Sequence, residues 1–165
     1  VPDVMAGIKK FGINLNVTPN LLATIPDNIK DYGEKLLPFA APVKTWLRQG
    51  IRVTFEASGS DFWSPIYDLV TRNIQVNRDS SERKPLLPEE AIDRVTALKM
   101  TTTWGAEYVM GEDTIGTLEP GKYADFAVLG KDYFTMPVEE ILESVPVVMT
   151  VINGQTVYDR YRLAN

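Results

Sequence analysis

The chain has 165 residues and contains no cysteine and no histidine. The first absence removes disulfides, thiolate catalysis and thiolate metal sites, while leaving the compartment open. The second removes a Ser-His-Asp triad and the histidine-rich kind of zinc site. No apolar run approaches the roughly 18 residues that span a bilayer, so the chain reads as soluble. A cytoplasmic location is expected over a secreted one. Basic charge is in deficit: 17 Lys and Arg against 22 Asp and Glu leave a net charge of -5. That balance argues against nucleic acid or an anionic membrane as a partner. Gly-rich phosphate loops, EF-hand patterns, repeats and low-complexity tracts are all missing. The start at Val1 lacks a basic region, an apolar region and a cleavage site, so no signal peptide is expected. The length supports one good core but falls short of a (β/α)8 barrel, which takes roughly 250 residues. The chain reads as the tail of something longer.

What is present is clearest near the C-terminus. Ile115 opens a short strand, Glu119-Pro120-Gly121-Lys122 makes a turn, and Tyr123 to Leu129 is a buried strand. Pro at the second turn position and Gly at the third suit a type II turn, whose third residue has positive φ. Val147 to Tyr158 reads as a hairpin closing on Asn153-Gly154, because Asn-Gly between β-branched runs is the strongest short-range hairpin signal. Met136 to Glu143 holds a short helix.

Upstream, Val4 to Phe11 is an amphipathic helix stopped by Gly12, and Ile13 to Val17 alternates as a strand. Leu21 to Leu37 reads as a polar connection broken by Pro26 and Gly33. A helix opens at Ala41-Pro42 and stops at Gly50, and Ile51 to Phe55 is the next strand. Ser64-Pro65 caps a third helix with Ile66, Leu69, Val70 and Ile74 on its apolar side. Asn77 to Lys84 is a charged loop. Pro88-Glu89-Glu90 starts a further helix with Ile92, Val95 and Leu98 inward, continuing after a break to Tyr108. Strand–helix–strand order predicts that 13–17 and 51–55 pair in parallel.

These segments resemble a known family. Ile115 to Gly130 and the hairpin after it are similar to the C-terminal end of metal-dependent amidohydrolases. Lys9 to Pro19 resembles that family's seventh barrel strand, Leu47 to Phe55 the approach to the eighth, and Gly59-Ser60-Asp61 the end of the eighth. Leu87 to Ile92 with Thr96-Ala97 resembles the helix after the barrel. The branch containing N-substituted formamide deformylases is the nearest in pattern. The resemblance implies an α/β fold made of the last two βα units of a (β/α)8 TIM barrel plus C-terminal strands of a composite β-sandwich. Residues 1–113 would be the barrel part with its following helices, and 114–165 the sandwich part.

The same resemblance implies chemistry. In the family the aspartate matching Asp61 sits beside the metal, sometimes as a ligand, taking a proton from the attacking water and returning it to the leaving nitrogen. A divalent metal lowers the pKa of water towards roughly 7, so a carboxylate is base enough. Asp61 is therefore the expected general acid/base, and a metal ligand only together with ligands upstream of Val1. A lone Asp after Gly-Ser also suits a turn or helix cap. Phe62 and Trp63 would wall a substrate pocket or pack the barrel rim. Asn16, Asn20 and Glu56 are polar groups near strand ends, and Lys44 stands where the family often has Arg. Asp125 reads as a backbone-bonding turn residue, Lys122 as a solvated turn cation, and Trp104 and Tyr108 as core.

The expected cofactor is a divalent metal, zinc first, in the intact enzyme and none in this chain alone. The expected partners are a small-molecule substrate and the upstream segment of the same protein, with homo-oligomers allowed. The intact protein would hydrolyse a non-peptide C–N bond in an amide, formamide or cyclic amide. The alternative is a binding or assembly module that keeps the fold without a metal centre. Unpaired barrel edges and uncovered apolar faces at Ile13, Leu15, Val17, Val53 and Phe55 imply that the isolated chain associates or folds poorly.

Overall fold

Two helices end alike, and each delivers the chain into a strand. The computed structural model describes residues 2–57, 62–77, 79–143 and 145–162. Helix α1 (Pro2–Lys10) closes on Gly12, φ +62°, and a later helix, α3 (Val43–Arg48), closes on Gly50, φ +78°. At both ends the glycine N–H reaches back three residues, to Lys9 and Leu47, and the next N–H reaches back five, from Ile13 to Ile8 and from Ile51 to Trp46. This is the Schellman closure, which needs a left-handed residue that only glycine adopts without strain. It also holds the backbone of Ile13 and Ile51, so strands β1 (Leu15–Val17) and β2 (Val53–Phe55) start two residues later than the alternation predicts.

β1 and β2 pair in parallel, with Leu15 opposite Val53, Asn16 opposite Thr54 and Val17 opposite Phe55. Leu15 N–H donates to Arg52 O at 2.9 Å and Glu56 N–H to Val17 O at 2.8 Å, framing the ladder at both ends. Val53 and Phe55 are buried and Leu15 and Val17 half-buried, packed with Val43, Ile66, Leu69, Ala97 and Met100. The chain therefore covers most of the face expected to lack partners. Ile13 alone of that group is exposed.

Between β1 and α3 the expected polar connection is ordered helix instead. A 3-10 segment (Pro19–Thr24) runs into α2 (Ile25–Tyr32), and a second 3-10 segment (Glu34–Phe39) follows. Pro26 reads as a breaker in the sequence. It sits in the first turn of α2, where its missing N–H has no intrahelical acceptor to lose. Leu22 and Ala23 are buried with Ala40 and Ile74 in a small second core.

Helix α4 (Trp63–Thr71) buries Ile66 and Leu69, as the pattern predicts. Ile74 is buried too, but from a strand. Arg72 takes left-handed φ, +54°, ends α4 and turns the chain into β3 (Asn73–Gln75), which pairs antiparallel with β4 (Arg83–Pro85). The expected charged loop is thus the far half of a hairpin. Arg83 lies over the Tyr67 ring and pairs with the buried Asp68 at 2.5 Å. Arg72 itself is fully buried, donating to the carbonyls of Leu86, Ala41 and Ala40 at 3.0, 3.1 and 2.9 Å.

Pro88–Glu90 is one 3-10 turn, and the helix proper, α5 (Arg94–Thr101), starts later, capped by Asp93 accepting from Thr96 N–H at 2.8 Å. The late start changes the helical phase. Ala97 and Met100 face inward, and Val95 is exposed. Glu90 serves another helix: it is buried and accepts from the backbone N–H of Thr45 at 2.9 Å and from the Thr45 hydroxyl, in the first turn of α3. After the break at Thr102, α6 (Thr103–Tyr108) follows.

The last third forms a three-stranded antiparallel sheet, β5 (Phe126–Leu129), β6 (Val147–Ile152) and β7 (Gln155–Asp159), with β6 central. Asn153 and Gly154 both have positive φ, +49° and +73°, as a two-residue hairpin turn requires. Lys122 N–H returns to Glu119 O across a turn whose third residue, Gly121, has φ +95°. The short helix α7 (Glu139–Leu142) buries Ile141. The segment at Ile115 forms no strand. Gly116, φ +93°, lies so close to Ala106 that an added Cβ would stand 2.6 Å from the alanine Cβ.

The sheet is tied to the helices by Tyr133, which is 2% exposed. Its hydroxyl donates to Arg94 O at 3.2 Å, and Arg94 Nη1 returns a bond to Tyr133 O at 2.7 Å.

Two predictions follow from the buried polar groups. Arg72→Met keeps the bulk but leaves three carbonyls without their donors, and should lower unfolding stability by about 2–4 kcal/mol in a denaturant titration of the protein containing this chain. Burial pushes the Tyr133 phenol up to about 12. The neutral phenol is favoured in the folded state, so this contribution is full below the ordinary value near 10 and is lost as pH rises through about 12. Stability measured between these pH values should fall, and Tyr133→Phe should flatten that part of the profile.

Candidate functional site

The C-terminal ends of parallel strands collect loops and reactive groups in α/β folds. Here Asn16 lies in β1 and Glu56 directly follows β2. Asp61, the expected general acid/base and metal ligand, lies outside the described residues, together with Ser58, Gly59 and Ser60. The residues immediately after Asp61 are placed. Phe62 is the N-cap of α4 and Trp63 its first residue. Their rings meet edge to face at 5.1 Å, Phe62 lies 6.1 Å from Phe55 at the end of β2, and Trp63 lies 5.7 Å from Tyr133. An aromatic ledge thus runs from the end of β2 across the start of α4 to the loop after β5.

Two hollows adjoin this ledge, and Phe62 borders both. One, of about 300 Å³, lies between the strand ends and helices α5 and α6, with Asn16, Thr54, Glu56, Thr101 and Tyr108 in its wall. The other, of about 1090 Å³, is more apolar and lies between α5–α6 and the sheet, lined by Trp63, Leu98, Ile115, Phe126 and Leu129 among others. Apolar walls with a few placed polar groups are the usual make-up of a small-molecule site. Phe62 borders both hollows and Trp63 the larger one.

Asn16 and Glu56 are exposed and share the smaller hollow. The side chain of Asn20 is outside the described set, and Lys44 on α3 borders neither hollow. Asp125 accepts a hydrogen bond from Asn153 N–H at 2.6 Å, so its carboxylate fixes the β6–β7 turn rather than its own. Lys122 differs from expectation. It is largely covered, donating to Thr117 Oγ1 at 2.8 Å and pairing with Glu119 at 3.2 Å. The Thr117 and Lys122 bonds hold the Glu119 carboxyl below its ordinary range. Trp104 is half-buried beside Arg52, whose guanidinium also pairs with Glu107, while Tyr108 is exposed at the smaller hollow instead of in the core.

Sequence reasoning missed Tyr133 and Arg94, which meet across 39 positions. The Asp132-x-x-Thr135 turn was a visible local signal, since Asp132 accepts from Phe134 N–H and Thr135 Oγ1. Its long-range contacts were not. Among the described residues no group of three or more His, Cys, Asp or Glu could hold a metal ion. A catalytic zinc takes about three protein ligands, so these residues do not fit a metal by themselves.

Comparison with known proteins follows the same outline. The model of the amidohydrolase family Amidohydro_3 matches residues 2–158. A candidate amidohydrolase of Bacillus subtilis (strain 168), YtcJ, is 31% identical over 156 residues, 92% of this chain and 29% of its own length. The chain therefore spans under a third of that relative. Among solved structures, an uncharacterized metal-dependent hydrolase from Pyrococcus horikoshii OT3 superposes with a TM-score of 0.67 at 22% identity, covering 83% of this chain and 28% of that one. An uncharacterized protein superposes at 0.55 with 17% identity, covering 92% and 37%. At such identities the two structures speak for the fold alone. A family match running from α1 to β7, over nearly every described element, makes this chain a member of the amidohydrolase family.

Proposed function

We propose that this chain is the C-terminal portion of a metal-dependent hydrolase acting on non-peptide C–N bonds, in an amide, formamide or cyclic amide. The observation that carries the reading is the family match over residues 2–158. The parallel β1–β2 pair is in keeping with it, as consecutive strands of a βα barrel run in parallel. Under this reading residues 1–113 close a TIM barrel with its last two βα units, and 114–165 supply strands of a composite β-sandwich. The formamide-deformylase branch is the first place to look for a substrate.

The metal, zinc by preference, would supply an activated water and polarise the scissile carbonyl. Its other ligands would lie upstream of Val1. Asp61 takes and returns the proton, and Phe62 and Trp63 wall the substrate. An assembly module without a metal centre is the rival. A His-x-His after a hydrophobic strand in the upstream sequence decides for the enzyme.

In the complete protein, Asp61→Asn should preserve the circular dichroism and melting profile while cutting turnover by roughly 10² or more on amide or formamide substrates. Retention of most activity removes Asp61 from the role. Residues 1–165 expressed alone should hold no stoichiometric zinc by elemental analysis and should sediment as oligomers or aggregates. Exposed Phe11, Met110, Leu118 and Val157 and the open edges of β5 and β7 favour association. A monodisperse monomer with one cooperative melt would make the chain self-sufficient and favour the rival.

A further inference from the structure

We propose that Asn153 is a site of spontaneous chemical modification and that Asp125 sets its rate. The inference goes beyond the hydrolase reading and does not depend on it. In the turn between β6 and β7 the exposed Asn153 precedes Gly154, whose nitrogen no side chain of its own shields. That nitrogen can attack Asn153 Cγ. The bond from Cγ to the side-chain nitrogen breaks, ammonia leaves with the proton of the Gly154 nitrogen, and a succinimide ring remains. One water then opens the ring on one side or the other. The product is aspartate, or isoaspartate with the main chain routed through the former side chain. No oxidant, reductant or cofactor enters the balance.

The structure restrains this reaction through the backbone. Gly154 N–H donates to Ala124 O at 3.1 Å, and Asn153 N–H donates to Asp125 Oδ1 at 2.6 Å. Ring closure has to rotate the Asn153–Gly154 peptide plane. That plane carries the Gly154 N–H, so the bond to Ala124 has to break first. The attacking nitrogen must also give up its proton, which the carbonyl holds in place. The Asp125 carboxylate is bonded one residue before that nitrogen, where it opposes negative charge forming there. The Asn153 carboxamide itself has no hydrogen-bond partner among the described residues, so its side chain supplies no restraint.

This guard is a product of strand pairing. Ala124 and Asp125 lead into β5, whose Phe126 stands opposite Val151 of β6, and Asp125 thereby meets a turn 28 positions away. The modification would act on the same pairing. Isoaspartate lengthens the backbone of a two-residue turn, and turn length fixes the register of a hairpin, here with Ile152 opposite Gln155.

The test ages the complete protein in mildly alkaline buffer and follows mass gain and isoaspartate in one tryptic peptide. Trypsin cuts after Lys131 and Arg160, which leaves Asn153 as the only asparagine in its peptide and Asp125 in another. The folded parent should react at least about tenfold more slowly than the same protein in urea. Asp125→Ala should speed the folded reaction about tenfold, the worth of one hydrogen bond to a charged acceptor, and leave the rate in urea unchanged. Asp125→Asn keeps an acceptor without the charge and should fall between the two. Equal rates for folded and unfolded parent overturn the proposal, and so does a folded Asp125→Ala no faster than the parent. Asp125→Asn as fast as Asp125→Ala overturns it as well. If Asp125→Ala does not fold, Asp125→Asn takes its place, and a rate equal to the parent's overturns the role of Asp125.

Discussion

The parallel ladder between β1 and β2 constrains the rest of the chain. A tight turn cannot join parallel neighbours, so everything from Thr18 to Arg52 has to form a crossover that returns to the same end of the sheet. That crossover is long here. It fills with the 3-10 segments, α2 and α3, and it needs a core of its own, which Leu22, Ala23 and Ala40 make with Ile74. The same ladder sends both chain segments out at one edge, where Asn16, Glu56 and Phe62 meet. Fold and candidate site are thus consequences of one pairing.

Buried polar groups do the joining between elements that hydrophobic packing alone would leave loose. Arg72 gathers three carbonyls from two segments, Glu90 caps a helix 45 residues away, and Arg94 and Tyr133 exchange bonds between α5 and the loop after β5. Each links irregular backbone whose polar groups no ladder would otherwise satisfy. Asp125 does the same inside the sheet, reaching from the start of β5 to the turn between β6 and β7.

Local chemistry made some of this legible in advance. Gly12, Gly50, Gly121 and Asn153-Gly154 mark positions where the backbone must take positive φ, and all of them do so. Strand–helix–strand order was enough for the parallel pair. What stayed hidden depended on partners far along the chain. Nothing near Arg72 shows that it will end a helix and be buried, and nothing near Glu90 shows that its helix to cap is α3. The phase of α5 was misread because Pro88 looks like a helix start, whereas Asp93 with Thr96 is the working cap. Phe62 and Trp63 were legible as candidates. Their support by Tyr133 was not, because ring packing between residues 63 and 133 leaves no periodic trace.

The matched endings of α1 and α3 also act as a ruler. Gly12-Ile13-Asn14-Leu15 and Gly50-Ile51-Arg52-Val53 place the first strand residue three positions after the closing glycine in both units. The two helices therefore feed their strands in step, and Leu15 falls opposite Val53 without any side chain having to choose the register. A single residue inserted in either connection would put the strands out of step, and side chains alternate along a strand. After Gly50 it would exchange the faces of Val53 and Phe55 with that of Thr54, and after Gly12 those of Leu15 and Val17 with that of Asn16. The length of these two short connections is thus as binding on the protein as the identity of any residue in them.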